Sequence, residues 1–245
     1  MPLRVPLPTL ARQWIRGVRI HLLDALAVVL PVTCASCGAV DRALCRNCAR
    51  RLAEATRVRE CGLRIEAMGG RRIPVFAAVD YDGPTKALIA ALKERGRTDA
   101  ARPLGVLLRR AVAALATSTG ATDTASTRSW VPVPAPSSPG SLRARGYAHL
   151  SMLWSLAVPG TRSVAGLRVV RSVRDQAGLS ASARAANLRG AYVADPRLAG
   201  ARVVLFDDVV TSGATLREAV RALEAAGAAV VGCVVVAEAV RRRPQ

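Results

Sequence analysis

The sequence predicts an α/β fold in which a mainly parallel sheet is flanked by helices and preceded by a small metal-binding module. Two observations carry this prediction. From about residue 72 onward, apolar runs of strand length alternate with helical patterns, and four cysteines cluster before that point. Strands that alternate with helices favour a parallel sheet covered on both faces. A chain of 245 residues is long enough for one ordinary domain and a small module.

The first 31 residues are predicted to form an amphipathic helix that docks onto the rest of the protein. Arginines followed by an apolar stretch, residues 22–32, resemble a secretory signal peptide in outline. Asp24 interrupts that stretch, and it is too short to span a bilayer. One helical face would carry the apolar residues Leu22, Leu23, Leu26, Val29 and Leu30. The signal peptide remains the alternative.

Residues 32–62 contain two Cys-x-x-Cys pairs separated by seven residues. The four cysteines are Cys34, Cys37, Cys45 and Cys48. Each pair can present two thiolates on one side, and four thiolates match the tetrahedral preference of a structural Zn²⁺. A redox pair or a chance cluster is the alternative, although neither pair follows a strand as in a thioredoxin-like motif. Cys61 lacks a partner for a second zinc, and Cys233 lies in an apolar run typical of a core strand.

Apolar patterns divide the domain predicted over residues 72–245 into strands and helices. Strands are predicted at 74–81, 130–134, 167–170, 191–193, 203–206 and 228–237. Helices are predicted at 85–95, 103–116, 147–157 and 216–226. Residues 117–129 are rich in Ser, Thr, Ala and Asp, and residues 135–146 in Pro, Ser and Gly, so both segments are predicted loops.

The most informative stretch is the apolar run 203–206, which ends in Asp207 and Asp208. Five small residues follow before the helical pattern: Thr211, Ser212, Gly213, Ala214 and Thr215. Backbone N–H groups at a helix N-terminus, together with hydroxyls, favour a phosphate. The two carboxylates can accept hydrogen bonds from paired sugar hydroxyls. The combination predicts a site for a ribose 5-phosphate, and an ordinary strand–turn–helix with a polar loop is the alternative.

Two further segments carry polar residues that could reach the same site. Arg143 and Arg145 lie in a loop after a strand, where doubly wound sheets usually bind ligands. The long polar segment 171–189 is predicted to cover the site as a lid, and it carries Arg171, Arg174 and Gln176. Their positive charge would stabilise a departing pyrophosphate. Taken singly, each arginine is more simply explained as a solvated surface group, and it is their co-location near predicted strand ends that favours the site.

These motifs together resemble a known family. Residues 207–215 resemble the 5-phosphoribosyl-1-pyrophosphate (PRPP) motif of type I phosphoribosyltransferases. A four-cysteine knuckle, Val-Pro-Val-Pro, Arg-x-Arg-Gly-Tyr and Asp-Gln-x-Gly-Leu-Ser precede that motif in the order seen in the ComF family, which is related to bacterial competence factors. The resemblance implies PRPP as substrate, Mg²⁺ bound with it, and Asp207 and Asp208 as catalytic residues. Where the family usually has Arg-Gly-Phe-Asn-Gln, this chain ends the motif in Ala148 and His149.

Two functions follow from this resemblance. The first is a cytoplasmic phosphoribosyltransferase that transfers ribose 5-phosphate from PRPP to a nitrogenous base. The second is a DNA uptake or processing factor that binds single-stranded DNA or protein partners. The formal charge of +19 favours polyanions in general, but the eight aromatic residues are few for a platform that stacks bases.

Overall fold

The computed structural model describes residues 32–40, 42–63, 65–121, 129–137, 140, 143, 145–171 and 181–239. The predicted N-terminal helix, most of the first predicted loop and residues 172–180 of the predicted lid lie outside the described residues. Among the residues that are described, no helix is long and apolar enough to cross a membrane.

The described residues form an α/β structure in the order β1 Arg59–Glu60, β2 Val75–Asp80, β3 Trp130–Pro134, β4 Leu167–Val169, β5 Tyr192–Ala194, β6 Arg202–Val210 and β7 Ala229–Glu238. The helices are α1 Arg46–Ala55, α2 Gly83–Glu94, α3 Ala101–Ser118, α4 His149–Ala157, α5 Ala181–Leu188 and α6 Ala214–Ala225. Short 3₁₀ turns cover Thr98–Ala100 and Pro196–Leu198.

The central sheet has five strands in the order β1-β2-β7-β6-β3. Every pairing in it is parallel except that of β1 with β2, which confirms the predicted mainly parallel sheet. Strand β6 lies in the interior of the sheet, between β7 and β3. Both faces of β6 are buried, because Val204 and Phe206 face one apolar cluster whereas Val203 and Leu205 face the other. This burial explains why its sequence is a continuous apolar run.

Helices cover both faces of the sheet. Helices α2, α3 and α4 pack on the face that contains Phe206, and α6 packs on the opposite face. Two short strands depart from the parallel arrangement, because β4 and β5 pair only with each other, antiparallel, as a separate ribbon. That ribbon lies against α6 on the second face, where Tyr192 and Ala194 join the buried cluster.

The cysteine-rich segment is joined to the sheet rather than separated from it. Arg59 and Glu60 fall within the predicted module 32–62, yet they form the edge strand β1. The backbone N–H of Cys61 also donates to the carbonyl of Val75 at 2.7 Å. Ala35 and Leu52 of the segment are buried in the cluster that contains α2. The module therefore shares its core with the main domain.

Strand β6 is longer than its apolar run. The sequence places the end of the strand at Phe206, but β6 continues to Val210 because β7 runs alongside it as far as Glu238 and continues the hydrogen-bonded ladder. Asp207 and Asp208 are therefore strand residues. Successive side chains of a strand point to opposite faces, so the two carboxylates face different sides of the sheet.

Candidate functional site

The four clustered cysteines meet at one point. The sulfurs of Cys34, Cys37, Cys45 and Cys48 all lie within 4.8 Å of one another, and the Cys37 and Cys45 sulfurs are 3.7 Å apart. Sulfurs placed about 2.3 Å from a tetrahedral Zn²⁺ are about 3.8 Å from each other. The donor set therefore fits one structural zinc ion, and four protein ligands leave no position on it for a substrate.

The two Cys-x-x-Cys pairs are shaped by different local structures. Cys34 opens a tight turn that is closed by the N–H of Gly38, whose φ of +79° suits glycine. Cys45 is the N-cap of α1, and its sulfur accepts the N–H of Cys48 at 3.5 Å. Burial alone would raise the pKa of Cys34, but backbone N–H groups, chiefly that of Cys45, outweigh it and lower the pKa to about 6. These N–H groups therefore favour the thiolate of Cys34, the form that binds metal. The Ser36 hydroxyl lowers the pKa of Cys48, but burial and the neighbouring cysteines outweigh it and raise that pKa to about 12.

We expect Cys37→Ser to release zinc and to lower the midpoint of thermal unfolding by roughly 5 °C. Cys37 is exposed, so the substitution removes a metal ligand and little packing. Metal analysis of the purified variant, together with its melting curve, measures both effects. Cys61→Ala is the matched control, because Cys61 is buried outside the cluster and its loss should leave one zinc per chain. Equal zinc contents in the two variants would contradict the assignment.

The second feature is the loop that the sequence predicts to bind phosphate, residues 211–215 (the phosphate loop), which runs from the end of β6 into the first turn of α6. Gly213 is the N-cap of α6 and has a φ of +74°, a conformation that side-chain-bearing residues rarely adopt. Arg217, on the first turn of α6, donates to the carbonyl of Ser212 at 2.7 Å. A small concavity of about 30 Å³ is lined by this loop together with Asp207. The loop thus presents backbone N–H groups and hydroxyls around a space that suits an anion.

Asp208 lies on the other face of β6, where it is almost completely buried among charged partners. Lys93, near the end of α2, places its Nζ 2.8 Å from Oδ1 and 2.7 Å from Oδ2 of Asp208. His149, the first residue of α4, places its Nε2 2.9 Å from Oδ2. Arg145 in turn contacts Nδ1 of His149 through its Nη1 at 2.5 Å. Two carboxylate oxygens are therefore bound by groups from two helices.

The two adjacent carboxylates titrate in opposite directions. Burial raises the pKa of Asp207 to about 7, and the charge of Asp208 adds to the rise. Burial would also raise the pKa of Asp208, but the hydrogen bond from His149 and the Lys93 ammonium outweigh it and hold the pKa below its usual range. The backbone N–H of Asp208 donates to Oδ1 of Asp207 at 2.8 Å. Asp208 is therefore the firmly ionised member of the pair.

This difference predicts how stability depends on pH. A raised pKa in the folded state means that Asp207 favours folding while protonated, and that its contribution is lost as pH rises from about 3.8 to about 7. We expect Asp207→Asn to increase the free energy of unfolding relative to wild type at pH 8, and to do so less at pH 5. The asparagine retains an acceptor for the Asp208 N–H. Urea unfolding at the two pH values measures the difference, and an equal change at both would contradict it.

The other predicted site residues are only partly brought together. Arg145 joins the Asp208 network, whereas Arg143 is exposed, and both have helical backbone conformation where the sequence predicts a loop. Arg171 donates to the carbonyls of Asn187 and Arg189 at 2.7 and 2.8 Å, at the end of α5. Arg174 and Gln176 lie outside the described residues. Within the predicted lid, residues 181–188 form a helix that packs near α6.

Sequence reasoning missed Lys93 and His149, although both had a detectable signal. Lys93 is one of only two lysines in a chain with 36 lysines and arginines, which suggests that an amine is specifically needed there. His149 occupies the position where the resembled motif ends in glutamine. Tyr147 fixes their relative positions, because its hydroxyl donates to the carbonyl of Leu92 and so joins the segment before α4 to the end of α2.

Comparison with known proteins identifies the class of the domain. Residues 151–245 match the family model of the phosphoribosyl transferase domain. The matched part contains β6, the two aspartates, the phosphate loop and α6, but not the cysteine cluster, Lys93, Arg145 or His149. No curated protein matches the chain. The protein therefore has an α/β fold, a region similar to the phosphoribosyl transferase domain and a four-cysteine cluster that could bind a structural zinc.

Proposed function

We propose that this protein binds PRPP and transfers its ribose 5-phosphate to a nitrogenous base. The observation that carries the proposal is the phosphate loop, which follows two strand carboxylates and begins α6 within the region that matches the phosphoribosyl transferase domain. The loop would hold the 5-phosphate, and Asp207, which lines the same concavity, would accept hydrogen bonds from the ribose hydroxyls.

The residues around Asp208 suit the pyrophosphate end of PRPP. Lys93 and Arg145 place two cations near a single buried carboxylate, so the cluster retains positive charge for a pyrophosphate. Mg²⁺ bound with PRPP would neutralise part of the pyrophosphate charge. As the C1–O bond breaks, its electron pair goes to the pyrophosphate and a nitrogen of the acceptor forms the new bond to C1. The protein contributes mainly positioning and stabilisation of charge.

The cysteine cluster also supports a finer assignment, to the ComF family. The order of a four-cysteine module followed by a phosphoribosyl transferase domain matches the order of motifs in that family. A cytoplasmic location is part of this proposal, since PRPP is an intracellular metabolite. Single-stranded DNA and DNA uptake proteins as partners rest on the overall charge of +19 and on the family resemblance.

Calorimetric titration with PRPP and Mg²⁺ tests the proposal directly. We expect saturable binding, with ribose 5-phosphate binding more weakly because it lacks the pyrophosphate. A screen that measures pyrophosphate release in the presence of different nucleobases would then identify the acceptor. Absence of PRPP binding at millimolar concentration, in protein that is folded and loaded with zinc, would rule the function out.

A further inference from the structure

His149 is hydrogen-bonded to both Asp208 and Arg145. Within the described part of the chain, these two charged residues share no direct hydrogen bond. Its side chain is 5% exposed, so water cannot replace its partners. Nε2 contacts Oδ2 of Asp208 at 2.9 Å, and Nδ1 contacts Nη1 of Arg145 at 2.5 Å. Both ring nitrogens are therefore used, one toward the sheet and one toward the segment that precedes α4.

The chemistry of these partners fixes which nitrogen carries the hydrogen. A guanidinium can donate hydrogen bonds but cannot accept them, so Nδ1 of His149 must be the acceptor toward Arg145. Nε2 then carries the hydrogen and donates it to the ionised Asp208. This assignment gives every member of the chain Arg145–His149–Asp208 a matched donor and acceptor.

The same carboxylate also holds Lys93. Lys93 contacts both oxygens of Asp208, and Arg145 is hydrogen-bonded to His149, which in turn contacts Asp208. One buried anion therefore orients two cations. Burial would lower the pKa of Lys93, and the nearby charge of Arg145 opposes its protonation as well, but Asp208 and Asp207 outweigh both and raise the pKa. The Lys93 side chain is 34% exposed, so the ammonium can reach a ligand while Asp208 stays beneath it.

We propose that His149 is a positioning residue that holds Arg145 beside Lys93, so that the two cations together bind the pyrophosphate group of the substrate. The inference rests on the proposed function and assigns a role within it. Asp208 is the anchor in this arrangement, and Asp207, on the opposite face of β6, is left to contact the ribose. His149 does not touch the substrate.

The experiment compares three ligands: PRPP with Mg²⁺, inorganic pyrophosphate with Mg²⁺, and ribose 5-phosphate. We expect His149→Leu to weaken PRPP and pyrophosphate binding roughly tenfold and to leave ribose 5-phosphate binding within about twofold, since only the first two ligands carry a pyrophosphate. His149→Gln should retain PRPP binding within about threefold, because its carbonyl can accept from Arg145 while its amide donates to Asp208.

A double-mutant cycle separates positioning from independent effects. Arg145→Gln should weaken PRPP binding about as much as His149→Leu does. The double variant should bind PRPP little more weakly than either single variant, because each change removes the same arginine from the site. Arg110→Gln is the matched control: it removes one exposed arginine from α3, away from the network, and should change no affinity appreciably.

The outcomes distinguish failure of this inference from failure of the proposed function. Suppose that wild type binds all three ligands. If His149→Leu then weakens the binding of all three equally, or if its loss of PRPP affinity adds fully to that of Arg145→Gln, His149 has no specific positioning role. If His149→Gln loses as much PRPP affinity as His149→Leu, the donor–acceptor argument is wrong. If folded wild type binds neither PRPP nor pyrophosphate, the proposed function is overturned and this inference with it.

Discussion

Asp208→Asn is expected to lower the free energy of unfolding by about 3 kcal/mol, because it removes one partner from a buried ion pair. Both oxygens of Asp208 accept hydrogen bonds, from Lys93 and from His149. An asparagine replaces one acceptor by an NH₂ group, which must then face another donor. Urea unfolding near pH 7, where the ion pair of the wild type is intact, measures the loss.

Asp99→Asn is the matched control for this prediction. Asp99 also pairs with a cation, Arg97, at 2.6 Å, but it is exposed in the 3₁₀ turn that precedes α3. An exposed pair contributes little because water screens it, so the loss should stay within about 1 kcal/mol. Comparable losses in the two variants would show that the Asp208 network does not depend on its burial. PRPP binding should also weaken in Asp208→Asn, since Lys93 and His149 lose their common anchor, and should be unchanged in Asp99→Asn.

Gly213→Val is expected to abolish measurable binding of ribose phosphates, a loss of well over tenfold in affinity. The φ of +74° at Gly213 is strained for a β-branched residue, at a cost of roughly 1–3 kcal/mol. The new side chain would also stand at the N-cap of α6, where a phosphate must approach backbone N–H groups. Titration with ribose 5-phosphate and thermal unfolding measure the two effects separately.

Gly200→Val provides a control with the same backbone strain at a different place. Gly200 has a φ of +73° and open space where a Cβ would stand, but it lies in the turn before β6, at the opposite end of that strand from the phosphate loop. Both variants should therefore lose similar stability, and only Gly213→Val should lose the ligand. If Gly200→Val weakens binding as much, the loss reports general destabilisation rather than a phosphate site.

The cysteine-rich segment packs against the helix that carries Lys93, the partner of Asp208. Arg95, two residues after Lys93, donates to the carbonyl of Ala35 at 3.2 Å, and Ala35 lies next to the ligand Cys34. Ala35 and Leu52 share one buried cluster with Leu92 of α2. The module therefore packs against the end of the helix that supplies Lys93.

Much of this protein could be predicted from local sequence. The sulfurs of the cysteine cluster come from residues only 14 positions apart, so their spacing alone indicated a common metal. The apolar run of β6 indicated a strand buried on both faces, and the small residues after it indicated a phosphate loop. The boundary of β6 was misplaced because its extension to Val210 depends on the neighbouring strand β7, which local sequence does not reveal.

Only the tertiary structure determined how the two aspartates differ. Lys93 and His149 are 115 and 59 residues from Asp208 in the chain, and the packing of α2 and α4 on one face of the sheet brings them to it. Asp207 faces the other side and meets the phosphate loop instead. The sequence by itself determined that two carboxylates stand before a loop of small and hydroxyl-bearing residues, because those residues are adjacent. Which carboxylate is paired with cations depended on the fold, because side chains alternate along a strand and each face of the sheet meets different helices.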